Sequence, residues 1–140
     1  MEKIYIINGP NLNYLGKREI NIYGTLSFKK FLVILNNKFK NINIKYYQTN
    51  SENKIINKLY YLNNKKIKGI LLNAGAYSHT SLAISDCIKS INIPIIEIHI
   101  SNIFNRDKIR KISLISKNCI GIISGFGLIS YILGIYYFIN

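Results

Sequence analysis

Short runs rich in isoleucine alternate along the chain with longer segments whose apolar residues recur at helical spacing. The runs predict five strands, at residues 3–8, 42–48, 67–73, 94–100 and 120–124. The longer segments predict four helices, at about 25–40, 51–62, 78–91 and 127–139. This alternation is typical of an α/β domain with a mostly parallel sheet and right-handed crossovers. Because no repeat, linker or low-complexity tract divides residues 1–140, we expect a single domain.

The boundaries of some elements stay open in the sequence. Thr25 or Ser27 can cap the first helix, and Asn50 or Ser51 can cap the second, because all four have suitable side chains. The polar segment 101–111 holds two arginines, and we expect at most a short helix there.

Uncommon polar residues gather where the predicted strands end, which is where ligands bind to open parallel sheets. Both histidines of the chain lie at this edge, since His79 begins the third helix and His99 ends the fourth strand. Either one could instead be a structural imidazole. Glu97 alternates with His99, so both side chains point to the same face of the sheet. The carboxylate could orient the imidazole, or the two could form a buried ion pair that apolar neighbours make costly.

The segment that joins the first strand to the first helix is too long for a simple connection. Residues 16–24 begin and end with glycine and contain Arg18 and Tyr23, which makes them a candidate active-site lid. Lowering a tyrosine pKa from about 10 by about 3 units requires roughly 4 kcal/mol. A guanidinium about 4 Å away in a partly dry site supplies about that much. Arg18 could therefore make Tyr23 a base, although an ordinary surface loop would also fit this spacing.

The composition excludes several classes of protein. The net charge of +13 would suit nucleic acid or an anionic membrane, but only three of the 19 basic residues are arginine. The excess falls on lysine, asparagine, isoleucine and tyrosine, whose codons are rich in A and T, so we expect no nucleic-acid partner. Cys87 and Cys119 lie in apolar runs and no signal peptide is evident, which predicts a cytoplasmic protein with reduced thiols. The apolar stretch 128–139 is too short to cross a membrane.

The sequence also lacks the common motifs for nucleotides and for nucleophilic serine. Neither a Walker A pattern, a G-x-G-x-x-G nor a G-x-S-x-G is present. The two histidines and two cysteines are too sparse for a dense metal site. We therefore expect neither a metal nor another cofactor.

Five strings occur in order along nearly the whole chain and together resemble type II 3-dehydroquinate dehydratases. They are INGPNLNYLGKREINIYG at 7–24, QTNSE at 48–52, LNAGAYSHTSLAISD at 72–86, EIHISN at 97–102 and R-x-x-x-R at 106–110. The resemblance implies a flavodoxin-like fold, with five parallel strands in the order 2-1-3-4-5 and helices on both faces. It implies dehydration of 3-dehydroquinate to 3-dehydroshikimate by anti elimination through an enol or enolate, a step of the shikimate pathway to chorismate and aromatic amino acids. It also implies a cytoplasmic homo-oligomer, a dodecamer built as a tetramer of trimers.

The same resemblance implies a role for individual residues. Tyr23 would accept the proton next to the ketone, and Arg18 would lower the pKa of Tyr23 and stabilise the transition state. His99 would donate a proton to the departing hydroxyl, Glu97 would orient His99, and Asn11 would steady the enolate through water. The substrate would be bound by Asn73, His79, Asp86, Ile100, Ser101 and Arg110. In this family Asp86 would act across a subunit boundary.

Four residues depart from the pattern of that family, namely Tyr14, Ile20, Asn53 and Ala74, although no matched chemical group is lost. Two other functions remain open on the sequence alone. The same pocket could bind a small anion or a flavin without catalysis, which an activity assay with 3-dehydroquinate would decide. The positive charge could also serve nucleic acid, which one continuous basic face would favour.

Overall fold

Five strands rich in β-branched residues pair in parallel and form one sheet. The computed structural model describes residues 1–17 and 25–140. The strands are β1 (Glu2–Asn8), β2 (Ile42–Gln48), β3 (Gly69–Asn73), β4 (Ile95–His99) and β5 (Gly121–Ser124). Their order in the sheet is β2-β1-β3-β4-β5, and every pairing is parallel. This order confirms the flavodoxin-like topology that the sequence resemblance implied.

Helices cover both faces of the sheet. They are α1 (Phe28–Lys38), α2 (Glu52–Asn63), α3 (Tyr77–Thr80), α4 (Leu82–Ser90) and α5 (Ile129–Ile139). Side chains of β3 alternate between the two layers, so that Leu71 packs with α1 and α5, whereas Ile70 and Leu72 pack with α2 and α4. No helix within the described ranges has both the length and the apolar character needed to cross a bilayer.

Two glycines let α5 lie directly against β3. A Cβ added to Gly134 would come within 2.6 Å of a Leu71 methyl, and one added to Gly69 would meet the Phe138 ring at 2.2 Å. A larger side chain at either position would push the helix outward. Tyr131, one turn before Gly134, is therefore held under the carboxyl ends of the central strands, where it is fully buried.

The structure decides between the alternative helix caps and corrects one helix. Ser27 accepts a hydrogen bond from the amide of Lys30, and Ser51 accepts one from Lys54, so these two serines are the caps. The single helix predicted over residues 78–91 is wrong, because Ser81 adopts extended backbone angles and separates α3 from α4. Its hydroxyl accepts from the amide of Ile84 at 2.9 Å and thereby caps α4. The polar segment 101–111 contains two short 3-10 turns, at residues 103–105 and 108–111.

Candidate active site

A polar cavity opens where β1, β3 and β4 end. Parallel pairing aligns Asn8 with Asn73 at the ends of β1 and β3, and β4 ends beside them at His99. Seven of the predicted site residues line this cavity, and they are Asn11, Asn73, His79, His99, Ile100, Ser101 and Arg110. The cavity therefore lies at the edge of the sheet that the strand pattern predicted.

Glu97 lies behind His99, and its carboxylate is completely buried. The Nε2 atom of His99 is hydrogen-bonded to Oε2 of Glu97. The hydroxyl of Ser113 donates to the same oxygen at 2.7 Å, and the hydroxyl of Ser116 donates to Oε1. Three donors from two separate segments therefore hold one carboxylate.

These donors decide the charge of Glu97. Burial alone would raise the pKa of this carboxyl, but the hydrogen bond and charge of His99 and the two serine hydroxyls outweigh burial and lower the pKa. The carboxylate is therefore ionised at neutral pH, and it keeps a hydrogen on Nε2 of His99. The other ring nitrogen, Nδ1, can then carry a proton toward a ligand.

His79 stands next to His99 on the wall of the cavity. The two rings stack with their centroids 5.9 Å apart and 26° between their planes. Nδ1 of His79 lies 2.7 Å from the carbonyl oxygen of Ile112, to which it donates, so Nε2 is left as an acceptor in the neutral ring. Burial lowers the pKa of His79, and the charges of His99 and Arg110 lower it further, against the opposing effects of the Ile112 carbonyl and Glu97. The site thus contains one imidazole paired with a carboxylate and one that stays neutral.

Two guanidiniums complete the cavity wall on the segment after β4. Arg106 donates to the hydroxyl of Ser101 at 3.3 Å, and Arg110 lies 3.1 Å from the carboxylate of Asp107. Both arginines line the cavity, so a small anion would meet two fixed cations there. Arg106 was not among the predicted binding residues, although the R-x-x-x-R string that contains it was a signal for a second arginine in the site.

The turn after β1 carries Asn11 to the mouth of the cavity. Asn11 has a φ of 69°, a left-handed conformation that asparagine tolerates better than most residues. The backbone N–H of Asn11 donates to the side-chain oxygen of Asn50 at 3.0 Å. The side-chain amide of Gln48 donates to the backbone carbonyl of Gly9 at 3.1 Å. Gly9 itself has no room for a side chain, because a Cβ would come 2.6 Å from the Ala74 carbonyl. Contacts with residues 48–50 therefore hold the turn that presents Asn11.

Besides Glu97, one predicted residue in the part of the chain that the structure describes does not line the cavity. Asp86 is exposed on α4 and lies outside the cavity of its own chain, so its action across a subunit boundary stays a prediction. Arg18 and Tyr23 lie outside the described residues.

A doubly wound parallel sheet that carries a carboxylate-bound imidazole and two arginines at its carboxyl edge suits an α/β enzyme that acts on a small anion. Comparison with known proteins identifies the enzyme family within this broad class. The sequence pattern of the family Dehydroquinase class II matches residues 2–139. The 3-dehydroquinate dehydratase of Caldicellulosiruptor saccharolyticus is 49% identical over 138 residues, which cover 97% of this chain and 95% of that protein.

Solved structures agree with the sequence match. The crystal structure of the type II dehydroquinase from Butyrivibrio crossotus superposes with a TM-score of 0.95 at 42% identity, over 99% of this chain and 98% of the other. The type II dehydroquinase from Propionibacterium acnes gives a TM-score of 0.93 at 32% identity, over 98% and 95% of the two chains. The chain belongs to the class II dehydroquinase family and is accordingly an enzyme of the hydro-lyase class. The resemblance found in the sequence is confirmed.

Proposed function

We propose that the protein dehydrates 3-dehydroquinate to 3-dehydroshikimate by anti elimination of water through an enol or enolate. The reaction would be a step of the shikimate pathway to chorismate, carried out by residues 1–140 as one catalytic domain. The observation that carries this proposal is the buried Glu97 carboxylate, which holds His99 at the wall of a cavity with two arginines. Elimination of a poor leaving group such as hydroxide needs an acid in this position.

The contacts of His99 determine which ring nitrogen carries the proton that is transferred. As an imidazolium, His99 donates from Nε2 to Glu97 and holds its second proton on Nδ1. When the carbon–oxygen bond of the substrate breaks, the Nδ1 proton passes to the departing oxygen and water leaves. The ring is then neutral and keeps the Nε2 hydrogen toward Glu97, so its orientation is preserved for the next turnover.

The base in this proposal is Tyr23, acting as a tyrosinate whose pKa Arg18 lowers. Both belong to the proposed lid of residues 16–24. The described ends of this segment approach each other, because a Cβ added to Gly16 would come 2.6 Å from the carbonyl of Thr25. A segment that leaves and returns at one point suits a lid that closes over a cavity and excludes water.

The remaining residues would bind and orient the substrate. Arg110, Arg106 and Ser101 suit the substrate carboxylate, because guanidiniums and hydroxyls donate to anions. The neutral Nε2 of His79 suits a substrate hydroxyl, which it can accept from, and Asn73 and the backbone at Ile100 offer further polar contacts. Asn11 would steady the enolate oxygen through water.

We propose further that the protein assembles as a homo-oligomer, a dodecamer formed by four trimers, in which Asp86 reaches the site of a neighbouring subunit. Support comes from the edge strand β5, whose Ile122 is 40% exposed, and from exposed Val33 and Phe126 elsewhere. Neither a metal nor another cofactor takes part in this scheme, and the protein would act in the cytoplasm.

The test is turnover of 3-dehydroquinate by the purified protein, followed through the ultraviolet absorbance of the conjugated enone product. We expect absorbance to rise in proportion to enzyme concentration. A cooperatively folded protein that produces no absorbance change at any substrate concentration would overturn the proposal and favour a non-catalytic anion binder.

A further inference from the structure

A buried tyrosine connects the floor of the cavity to the core of the protein. Tyr131 of α5 is fully buried, and its hydroxyl lies between the side chains of Asn8 and Asn73, the paired last residues of β1 and β3. The hydroxyl donates to Oδ1 of Asn8 at 2.8 Å and accepts from Nδ2 of Asn73 at 2.9 Å. None of the roles considered so far uses Tyr131.

The directions of these hydrogen bonds are fixed. A tyrosine hydroxyl has one proton, and here it is committed to Asn8, so toward Asn73 the oxygen can only accept. On its other side Asn73 accepts, through Oδ1, from the amide of Gly75 at 3.2 Å. Turning the Asn73 side chain over would place its carbonyl oxygen against the Tyr131 oxygen and its NH2 against the Gly75 N–H. Both ends of the amide therefore oppose the flipped orientation.

The orientation determines what Asn73 can offer to a ligand. After the bonds to Tyr131 and Gly75, the side chain retains one N–H on Nδ2 and one lone pair on Oδ1. Asn73 lines the cavity while being almost completely buried. We propose that Tyr131 is a positioning residue that locks the Asn73 amide so that an N–H donor faces a substrate oxygen. This inference rests on the proposed function, which places the substrate against Asn73.

The surroundings of Tyr131 suit such a lock. Its ring packs edge-on against Phe28, with ring centroids 5.0 Å apart, and lies tilted against Phe31, with ring centroids 6.0 Å apart. These contacts leave the hydroxyl little freedom to move. Burial raises the pKa of Tyr131, although its hydrogen bonds with Asn73 and Asn8 partly oppose the effect. The proton that must point to Asn8 is therefore retained at neutral pH.

The test is Tyr131→Phe, which removes the hydroxyl and keeps the ring. We expect KM for 3-dehydroquinate to rise about tenfold, the factor expected when one neutral hydrogen bond to substrate loses its alignment, while kcat changes little. The matched control is Ile135→Val, one turn further along α5 and also fully buried but without a polar atom. It lowers Tm by loosening the same helix, and its KM should equal that of the wild type.

A second variant, Asn8→Ala, tests the same inference if Tyr131→Phe does not fold. Asn8→Ala removes the acceptor of the Tyr131 proton, so the hydroxyl becomes free to donate to Asn73 and the amide can turn. We expect KM to rise in the same direction as in Tyr131→Phe, and Asn8→Ala decides the question alone if Tyr131→Phe does not fold. An unchanged KM in the folded variant, or an equal rise in Ile135→Val, would overturn this inference while the proposed function stands. No turnover by the wild-type protein would overturn the proposed function, and this inference with it.

Discussion

Replacing Glu97 by glutamine isolates the charge that the structure places behind His99. Glutamine has nearly the same shape, and its carbonyl oxygen can occupy the position of Oε2, where it still accepts from His99 and Ser113. Its NH2 group would then face Ser116, whose hydroxyl can rotate to accept. The orientation of the imidazole is therefore retained, and what disappears is the negative charge.

The size of the effect follows from that loss. Two unit charges about 4 Å apart at an effective dielectric of about 20 attract by about 4 kcal/mol, which is an upper bound for the charge term. The difference between a charge-assisted and a neutral hydrogen bond, about 1 kcal/mol, gives a lower bound. Each 1.4 kcal/mol is about a factor of ten, so kcat should fall by between about 5-fold and 10³-fold, with a central value near 10².

Steady-state kinetics across a range of pH measure this effect. We expect kcat to fall while KM changes little. Glu52→Gln makes the same chemical change at a partly exposed carboxylate at the start of α2 and serves as the control. A folded Glu97→Gln protein with wild-type kcat at every pH measured would refute the proposal that the Glu97 charge sustains catalysis by His99.

Four further predictions concern the lid, the anion site and acid stability. Tyr23→Phe should leave the thermal unfolding curve unchanged and lower kcat by at least about 10²-fold, as expected for loss of a general base; normal turnover would exclude Tyr23 as the base. Arg18→Gln should chiefly lower kcat and shift its acid limb to higher pH, since the phenol loses its cationic partner; an unshifted limb would contradict that pairing. Arg106→Gln should raise KM by about 10-fold to 100-fold, the cost of one charge-assisted hydrogen bond, and saturation kinetics would show an unchanged KM if this arginine does not contact substrate. Because the folded pKa of Glu97 lies below its usual 4.5, its ionisation stabilises the protein above about pH 4.5 and this contribution is lost as the pH falls through the folded value; denaturant unfolding at several pH values should show a shallower acid decline in Glu97→Gln.

The fold could be predicted largely because local patterns agree with the final topology. The β-branched runs and helical spacing predict the five strands correctly, and alternation along β4 predicts that Glu97 and His99 share a face. The caps could not be decided locally, since threonine, serine and asparagine are all good cap residues. Tertiary contacts decide the cap of α2. The side-chain oxygen of Asn50 accepts hydrogen bonds from Asn11 and Gln48 and therefore does not cap the helix, so Ser51 is the cap.

The parts of the site that escaped prediction depend on contacts between residues far apart in the sequence. Tyr131 is one of 11 tyrosines, and its partner Asn8 lies 123 positions away, so no local pattern distinguishes it. Ser113 and Ser116 bind Glu97 across 16 and 19 positions from a segment without regular periodicity. The break at Ser81 escaped because neither glycine nor proline lies within residues 78–91 to indicate the end of a helix.

The most direct test of the account is the fate of the substrate proton in deuterium oxide when His99 is replaced by alanine. Because the proposed base is unaltered, the variant should still exchange the proton next to the ketone, visible by nuclear magnetic resonance as deuterium entering 3-dehydroquinate. Release of water should slow by about 10²-fold to 10⁴-fold, the range expected for loss of a general acid. Elimination by His99→Ala at a rate close to that of the wild type would contradict the role of the carboxylate-held imidazole.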